Sequence, residues 1–246
     1  MTFKIAKRQS SDWCMDDLML DDLRALLFDL DNTLLDRDDA FRRWADSFVA
    51  THFPSDRALQ WAAVERIISI DNDGYCPRID LFRQIRALYP CVEPSVENLV
   101  DAFYSQFPTH MRLADDARHL LDGLHDIGLP FGIVTNGSPT QLQKIGVLGL
   151  DVRTSCIFVS ELYGCRKPEA AIFLAAADCL GMAPEAVLFV GDNPEADIWG
   201  AHRVGMKTAW LHRSQPWPST LPRSCVDLTI GSLADLAEVL GLKGRC

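Results

Sequence analysis

Two carboxylates stand two residues apart at the end of an apolar run, Ala25-Leu-Leu-Phe-Asp29-Leu-Asp31-Asn-Thr33. Residues 24–30 read as a buried central strand. A period of two places Asp29 and Asp31 on one side of the backbone at its carboxyl end, where open α/β sheets bind ligands. Two acids buried this close together cost free energy unless a cation or a proton offsets their repulsion. The pair is therefore a candidate catalytic or metal site. The same spacing at Asp36/Asp38 and Asp71/Asp73 lacks a strand before it and is assigned to solvated loops. Asp71-Asn-Asp73-Gly74 is not a calcium loop, because Tyr75 takes a ligand position and the terminal glutamate is absent.

Three downstream segments carry further chemistry. Thr135-Asn136-Gly137 closes a second strand with a hydroxyl and a nest of backbone N–H groups suited to phosphate oxygens. In Gly164-Cys165-Arg166-Lys167-Pro168-Glu169, Pro168 sits where a helix would begin, fixing Lys167 just before it. Gly191-Asp192-Asn-Pro-Glu-Ala-Asp197 brings another carboxylate to the same sheet edge, with Asp197 on the following helix.

Elements of two kinds must position these residues. From about 38 to 107 the apolar spacing is helical, as in Phe41, Trp44, Ala45, Phe48 and Val49, and four helices are expected, separated by Pro54, Asn72-Asp-Gly74, Pro77 and Pro90. After 112 the texture alternates. Helices at 139–148, 169–181, 195–204 and 232–240 are interleaved with strands at 131–134, 157–159, 186–190, 208–211 and 227–230. The pattern predicts an α/β fold, a doubly wound, Rossmann-like parallel sheet core with an inserted all-helical domain. The expected boundaries are an N-terminal extension at 1–21, a core at 22–36 and 111–246, and a helical insertion at 37–110.

A net charge of −10 with no basic run argues against nucleic acid or an anionic membrane surface as partner. No transmembrane stretch is evident, and the basic N-terminus lacks the apolar segment of a signal peptide. Eight cysteines without a C-x-x-C pair, and six histidines without ligand spacing, read as reduced thiols in a cytoplasmic protein rather than a zinc site.

Together, in this order, the four segments closely resemble the haloacid dehalogenase superfamily of hydrolases, whose motifs match as Asp29-Leu-Asp31-Asn-Thr33, Thr135, Lys167 and Gly191-Asp192…Asp197. The resemblance covers residues 24 to about 240, and the helical insertion corresponds to the superfamily's helical cap. It implies Asp29 as the nucleophile that forms an aspartyl-phosphate and Asp31 as the general acid and then base. It implies Mg²⁺ held by the Asp29 side chain, the Asp31 backbone carbonyl and Asp192. Lys167, Thr135 and the N–H groups of Asn136 and Gly137 would hold phosphoryl oxygens. Asp197 would orient Lys167 or a metal-bound water, and Thr33 would support the first loop.

Within the family, Asp31 and Asp192 favour phosphoryl chemistry over carbon–halogen hydrolysis, whose enzymes lack the second aspartate and need no metal. No mutase-specific signature stands out, which ranks a phosphomutase below a phosphatase. A regulatory module that binds a ligand on the same fold is the non-enzyme alternative. A roofed site favours a small phosphorylated metabolite. Asn32 and the Thr-Asn-Gly turn resemble members acting on nucleoside monophosphates or N-acylneuraminate 9-phosphate, whereas phosphoglycolate phosphatases more often carry Gly at position 32. Arg42, Arg43, Asn72, Tyr75 and Arg78 are candidate cap contacts, and Cys165 is a candidate for the pocket rim.

Overall fold

Six apolar runs become strands: β1 (Ala25–Phe28), β2 (Phe131–Thr135), β3 (Ile157–Val159), β4 (Val187–Gly191), β5 (Lys207–Leu211) and β6 (Leu228–Ile230). The structure, a computed structural model, describes residues 22–213 and 216–242. The extension expected over 1–21 lies outside the described residues. The helices among those residues are α1 (Arg37–His52), α2 (Arg57–Asp71), α3 (Arg78–Leu88), α4 (Val96–His110), α5 (Asp115–Asp126), α6 (Thr140–Val147), α7 (Ser160–Tyr163), α8 (Ala170–Cys179), α9 (Gly200–His202) and α10 (Leu233–Val239).

The sheet is parallel throughout, in the order β3-β2-β1-β4-β5-β6, which is the doubly wound Rossmann-like arrangement. Every residue of β1, β2 and β4 is buried, as expected of strands covered on both faces. Starting from β1 the chain winds out through β2 to β3, then crosses back to β4 on β1's other side. The reversal makes the carboxyl ends of β1 and β4 the topological switch point, where such sheets bind ligands. Phe28 pairs with Val190, and the N–H of Asp29 donates to Val190 O at 2.9 Å, so the segments carrying Asp29 and Asp192 leave the sheet side by side. Close approach also fixes one glycine in the sheet. A Cβ on Gly132 would lie 2.7 Å from Cys156 Sγ and 2.9 Å from Leu27 Cδ2.

By contact density the described residues divide into two compact units, one formed by those up to Leu35 with those from Leu113 onward, the other by Asp36–Arg112. The second unit is helical, α1 to α4. Its core is aromatic, with Trp44 edge-on to Phe103 at 4.8 Å and Phe103 stacked on Phe107 at 4.8 Å. Asp36, Asp56 and Ser95 cap α1, α2 and α4 by accepting backbone N–H bonds.

Asp71 departs from its assignment to a solvated loop. It is 1% exposed, and its carboxylate faces Arg37 at 2.5 Å and Arg78 at 2.6 Å. It also accepts the N–H of Gly74 at 3.0 Å. Three left-handed residues in a row, Asn72, Asp73 and Gly74, fold the chain back so that α2 and α3 share this acid. Arg42, expected as a contact residue, is paired with Glu65 at 2.6 Å. Arg43 is paired with Asp39 and donates to His110 O.

Candidate active site

Three strand ends and one loop build the site. The ladder ends with Asp29, whose side chain is buried, and the chain then turns through Leu30–Leu34. Asn32 takes a left-handed φ of 61° in that turn. Glycine and asparagine are the residues that tolerate this conformation most readily, so Asn32 answers a backbone demand. Because the chain turns, Asp31 does not continue the strand period beside Asp29. Its carboxylate meets α6, where Lys144 Nζ donates to both oxygens at 2.7 Å and Gln141 Nε2 donates to Oδ2 at 2.8 Å. Thr33 is buried in the same turn, its N–H on Leu30 O.

Lys167 is the centre of the charge cluster. It is 2% exposed, with Nζ 2.7 Å from Asp29 Oδ1 and 2.7 Å from Asp197 Oδ1. What fixes it is not a helix start at Pro168, since α8 begins only at Ala170 with Glu169 as its cap. The clamp is Asn136, whose Oδ1 accepts the N–H of Lys167 at 2.9 Å and whose Nδ2 donates to the Lys167 carbonyl at 2.9 Å. The amide side chain thus bonds both faces of one residue's backbone and ties the end of β2 to the lysine loop.

The helix expected over 195–204 instead opens as a π-helical turn, Pro194–Trp199, before α9. Such one-turn widenings recur at functional sites. Here Asp197 reaches Lys167 with one oxygen and accepts the Asn193 N–H with the other at 3.0 Å. The fit is close. A Cβ on Gly191 would stand 2.6 Å from Asp197 Cβ and Cγ.

The electrostatics arise from burial. Desolvation pushes the Asp29 carboxyl up to about 7 even though Lys167 pulls it down, with Asp197 and Asp31 adding to the rise. Burial, together with the Asp29 and Asp197 charges, pushes Asp192 to about 9. Burial alone would lower the Lys167 ammonium, but Asp197 and Asp29 reverse this and hold it above the ordinary lysine value. Carboxylate oxygens of Asp29, Asp192 and Asp197 all lie within 4.8 Å of one another. An all-oxygen set of crowded, partly desolvated acids fits a hard divalent cation. Asp31's carboxylate is not in this set.

The other expected site residues have partners within the protein. Thr135 is buried, and its Oγ1 accepts from Gln141 Nε2 at 2.7 Å. Gly137 does not offer its N–H to a ligand, because Ser160 Oγ accepts it at 3.0 Å. Cys165 packs half-buried against the apolar cluster of Ile172, Phe173 and Val134 rather than lining a rim. Six cysteines among the described residues are outside any disulfide, and no helix among the described residues is long and apolar enough to cross a membrane. Sequence reading missed Lys144 and Gln141. Their three-residue spacing on a short helix after a Thr-Asn-Gly turn is a weak signal, visible only once α6 is placed beside Asp31.

The parallel sheet thus carries acids at its switch point with a buried lysine set between two of them. Residues 23–205 match the model of the haloacid dehalogenase-like hydrolases, and the chain belongs to that family. It is 30% identical over 226 residues to a glyceraldehyde 3-phosphate phosphatase of Pyrococcus furiosus, spanning 89% of this chain and 93% of that protein. It is 33% identical over 145 residues to a phosphoserine phosphatase of Thermus thermophilus, spanning 58% of this chain and 57% of that one. Among solved structures, a putative hydrolase of the family from Bacillus subtilis, bound to magnesium, superposes with a TM-score of 0.66 at 25% identity, covering 89% of this chain and 98% of that chain.

Proposed function

We propose that this chain is a divalent-cation-dependent phosphatase that hydrolyses a small phosphorylated metabolite through an aspartyl-phosphate on Asp29. The observation that carries the reading is the buried Asp29–Lys167–Asp197 array at the switch point, adjoined by Asp192. The phosphatase relatives support phosphomonoester chemistry, and their differing named substrates leave this chain's own substrate to be found by assay.

The chemistry derives from these residues. An Asp29 carboxylate oxygen attacks phosphorus, and the bond from phosphorus to the leaving oxygen breaks. Asp31, protonated when substrate is bound, gives its proton to that oxygen and is left as a carboxylate. A water then attacks the acyl phosphate at phosphorus, Asp31 accepts its proton, and orthophosphate leaves with Asp29 restored. Lys167 and Thr135 hold phosphoryl oxygens in place, and Asp197 keeps the Lys167 ammonium charged and aimed. Asp29, Asp192 and the Asp31 carbonyl would hold Mg²⁺, which supplies charge neutralisation as the phosphoryl group transfers. The helical unit would act as a cap that selects substrate. It contains a cavity of about 350 Å³ lined by Arg37, Phe41, Arg42, Asp71 and others.

A phosphate-release assay over a panel of phosphorylated metabolites tests this reading. Turnover is expected with Mg²⁺ and is expected to fall at least 100-fold in excess chelator. Equal rates with and without chelator would remove the metal from the reaction.

Stability gives a second, activity-free test. The Asp29 and Asp192 carboxyls are raised in the folded protein to about 7 and about 9, from an ordinary 3.8. Between pH 4 and 9 the folded chain therefore holds protons that the unfolded chain has released, and metal-free stability falls as pH rises. A cation that binds the ionised acids recovers more at higher pH. Saturating MgCl₂ is expected to raise Tm by ~5–10 °C at pH 8 and by much less at pH 5, on typical binding and unfolding magnitudes. Asp192→Asn should flatten the pH dependence and abolish the shift. A Tm shift of the same size at both pH values would count against this assignment.

A further inference from the structure

We propose that Lys144 and Gln141 are positioning residues that lock the Asp31 carboxylate relative to Thr135, so that proton transfer and phosphate binding share one fixed frame. This rests on the hydrolytic reading above. Asp31 lies in a turn, not in the sheet ladder, so its backbone alone does not aim its side chain. Residues three apart on a helix share a face, and on α6 that face carries Gln141 and Lys144. Lys144 Nζ grips both Asp31 oxygens at 2.7 Å. One amide nitrogen of Gln141 donates to Asp31 Oδ2 at 2.8 Å and to Thr135 Oγ1 at 2.7 Å. While Asp31 is ionised it only accepts hydrogen bonds, so the amide nitrogen, and not the oxygen, points inward; when it takes up the proton it delivers, one oxygen turns from Lys144 to the leaving group while Gln141 keeps the other in place.

The glycine of the Thr-Asn-Gly turn fits this arrangement. A Cβ on Gly137 would sit 2.8 Å from Gln141 Cγ, so the small residue clears the path by which the 3%-exposed Gln141 enters. That gives Gly137 a role even though its N–H is committed to Ser160. A general acid works only within about 2.6–3.2 Å of the atom it protonates. A tether that fixes Asp31 against the hydroxyl contacting phosphate sets that distance.

The test separates positioning from a loss of fold. With p-nitrophenyl phosphate the leaving phenolate departs with little help, whereas phenyl phosphate needs its leaving oxygen protonated. Lys144→Met and Gln141→Leu are expected to lower kcat/KM for phenyl phosphate at least fivefold more than for p-nitrophenyl phosphate. Lys144→Arg, which can still grip both oxygens, should restore most of the loss. In Asp31→Asn, adding Lys144→Met should shift the ratio no further. An unchanged ratio in both single variants, or an additive shift in the double variant, would overturn the proposal. Crystal structures of wild type and Lys144→Met supply a readout free of turnover. Asp31 is expected to leave its wild-type rotamer in the variant, and an unmoved carboxylate would also overturn it. Should the wild type hydrolyse neither ester, the hydrolytic reading fails, while the crystal structures still decide whether α6 places Asp31.

Discussion

Asp29→Asn should reduce turnover at least 10⁴-fold, about 5.5 kcal/mol of transition-state stabilisation, in a protein that still folds. The amide keeps the shape of the carboxyl but carries neither the charge nor the oxygen proposed to attack phosphorus. Deleting the nucleophile of a covalent mechanism leaves only binding and electrostatic contributions, which is why such variants lose several orders of magnitude. Folding is spared for a reason peculiar to this site. Burial and the neighbouring acids already push Asp29 towards its neutral form, so a neutral isostere relieves repulsion with Asp192 and Asp197 while Lys167 keeps its pairing to Asp197. Metal-free Tm is therefore expected to hold or rise. The checks are kcat for p-nitrophenyl phosphate with Mg²⁺, and acid-quenched wild type and variant tested for protein-bound phosphate. Turnover above 1% of wild type would remove Asp29 from the nucleophile's place.

Much of this site is legible in the sequence because strands buried on both faces announce themselves as unbroken apolar runs, and the residues just after those runs lie at one sheet edge. Asp29, Thr135 and Asp192 stand out in that way. Residues placed by turns and side-chain contacts do not. The period of two fails at Asp31 because the chain turns after Asp29, and no local pattern tells a reader where a turn will send a carboxylate. Lys167 stands out beside Pro168, but a helix start is not what holds it. The clamp is the Asn136 side chain 31 positions away, a long-range contact that spacing does not encode. Asp71 shows the converse failure. Its neighbours Asn72, Asp73 and Gly74 read as a polar turn, and they are one, yet the acid itself points inward to two arginines. The π-helical turn at Pro194 is not legible in the sequence because the segment is only six residues long, too short for the spacing of its apolar residues to tell a π turn from an α turn.

Lys167→Met should couple a large activity loss to a pH-dependent loss of stability. Methionine reproduces the unbranched stem as far as Cε and can still lie against Phe189, whose ring centre is 5.4 Å from the ammonium, so most of the packing is kept while the charge is removed. Three acids within 4.8 Å of one another then have no internal cation. Removing one partner of a buried ion pair costs about 3–5 kcal/mol because the other charge is left uncompensated. The cost depends on pH. At pH 5 Asp29 and Asp192, already raised by burial, take up protons and the missing ammonium costs little. At pH 8 the unfolded acids are ionised and solvated while the folded ones must either ionise unpaired or hold protons, so the deficit is greatest there. Urea unfolding at the two pH values should show a difference between variant and wild type at pH 8 that mostly closes at pH 5, and Mg²⁺ should recover part of it. A deficit equal at both pH values would mean that Lys167 contributes packing rather than charge. Turnover should fall at least 10³-fold at any Mg²⁺ concentration, since the phosphoryl oxygens lose their fixed cation. Lys167→Arg should not rescue it, because the planar guanidinium cannot take the place of a compact ammonium set between two carboxylates at 2.7 Å each.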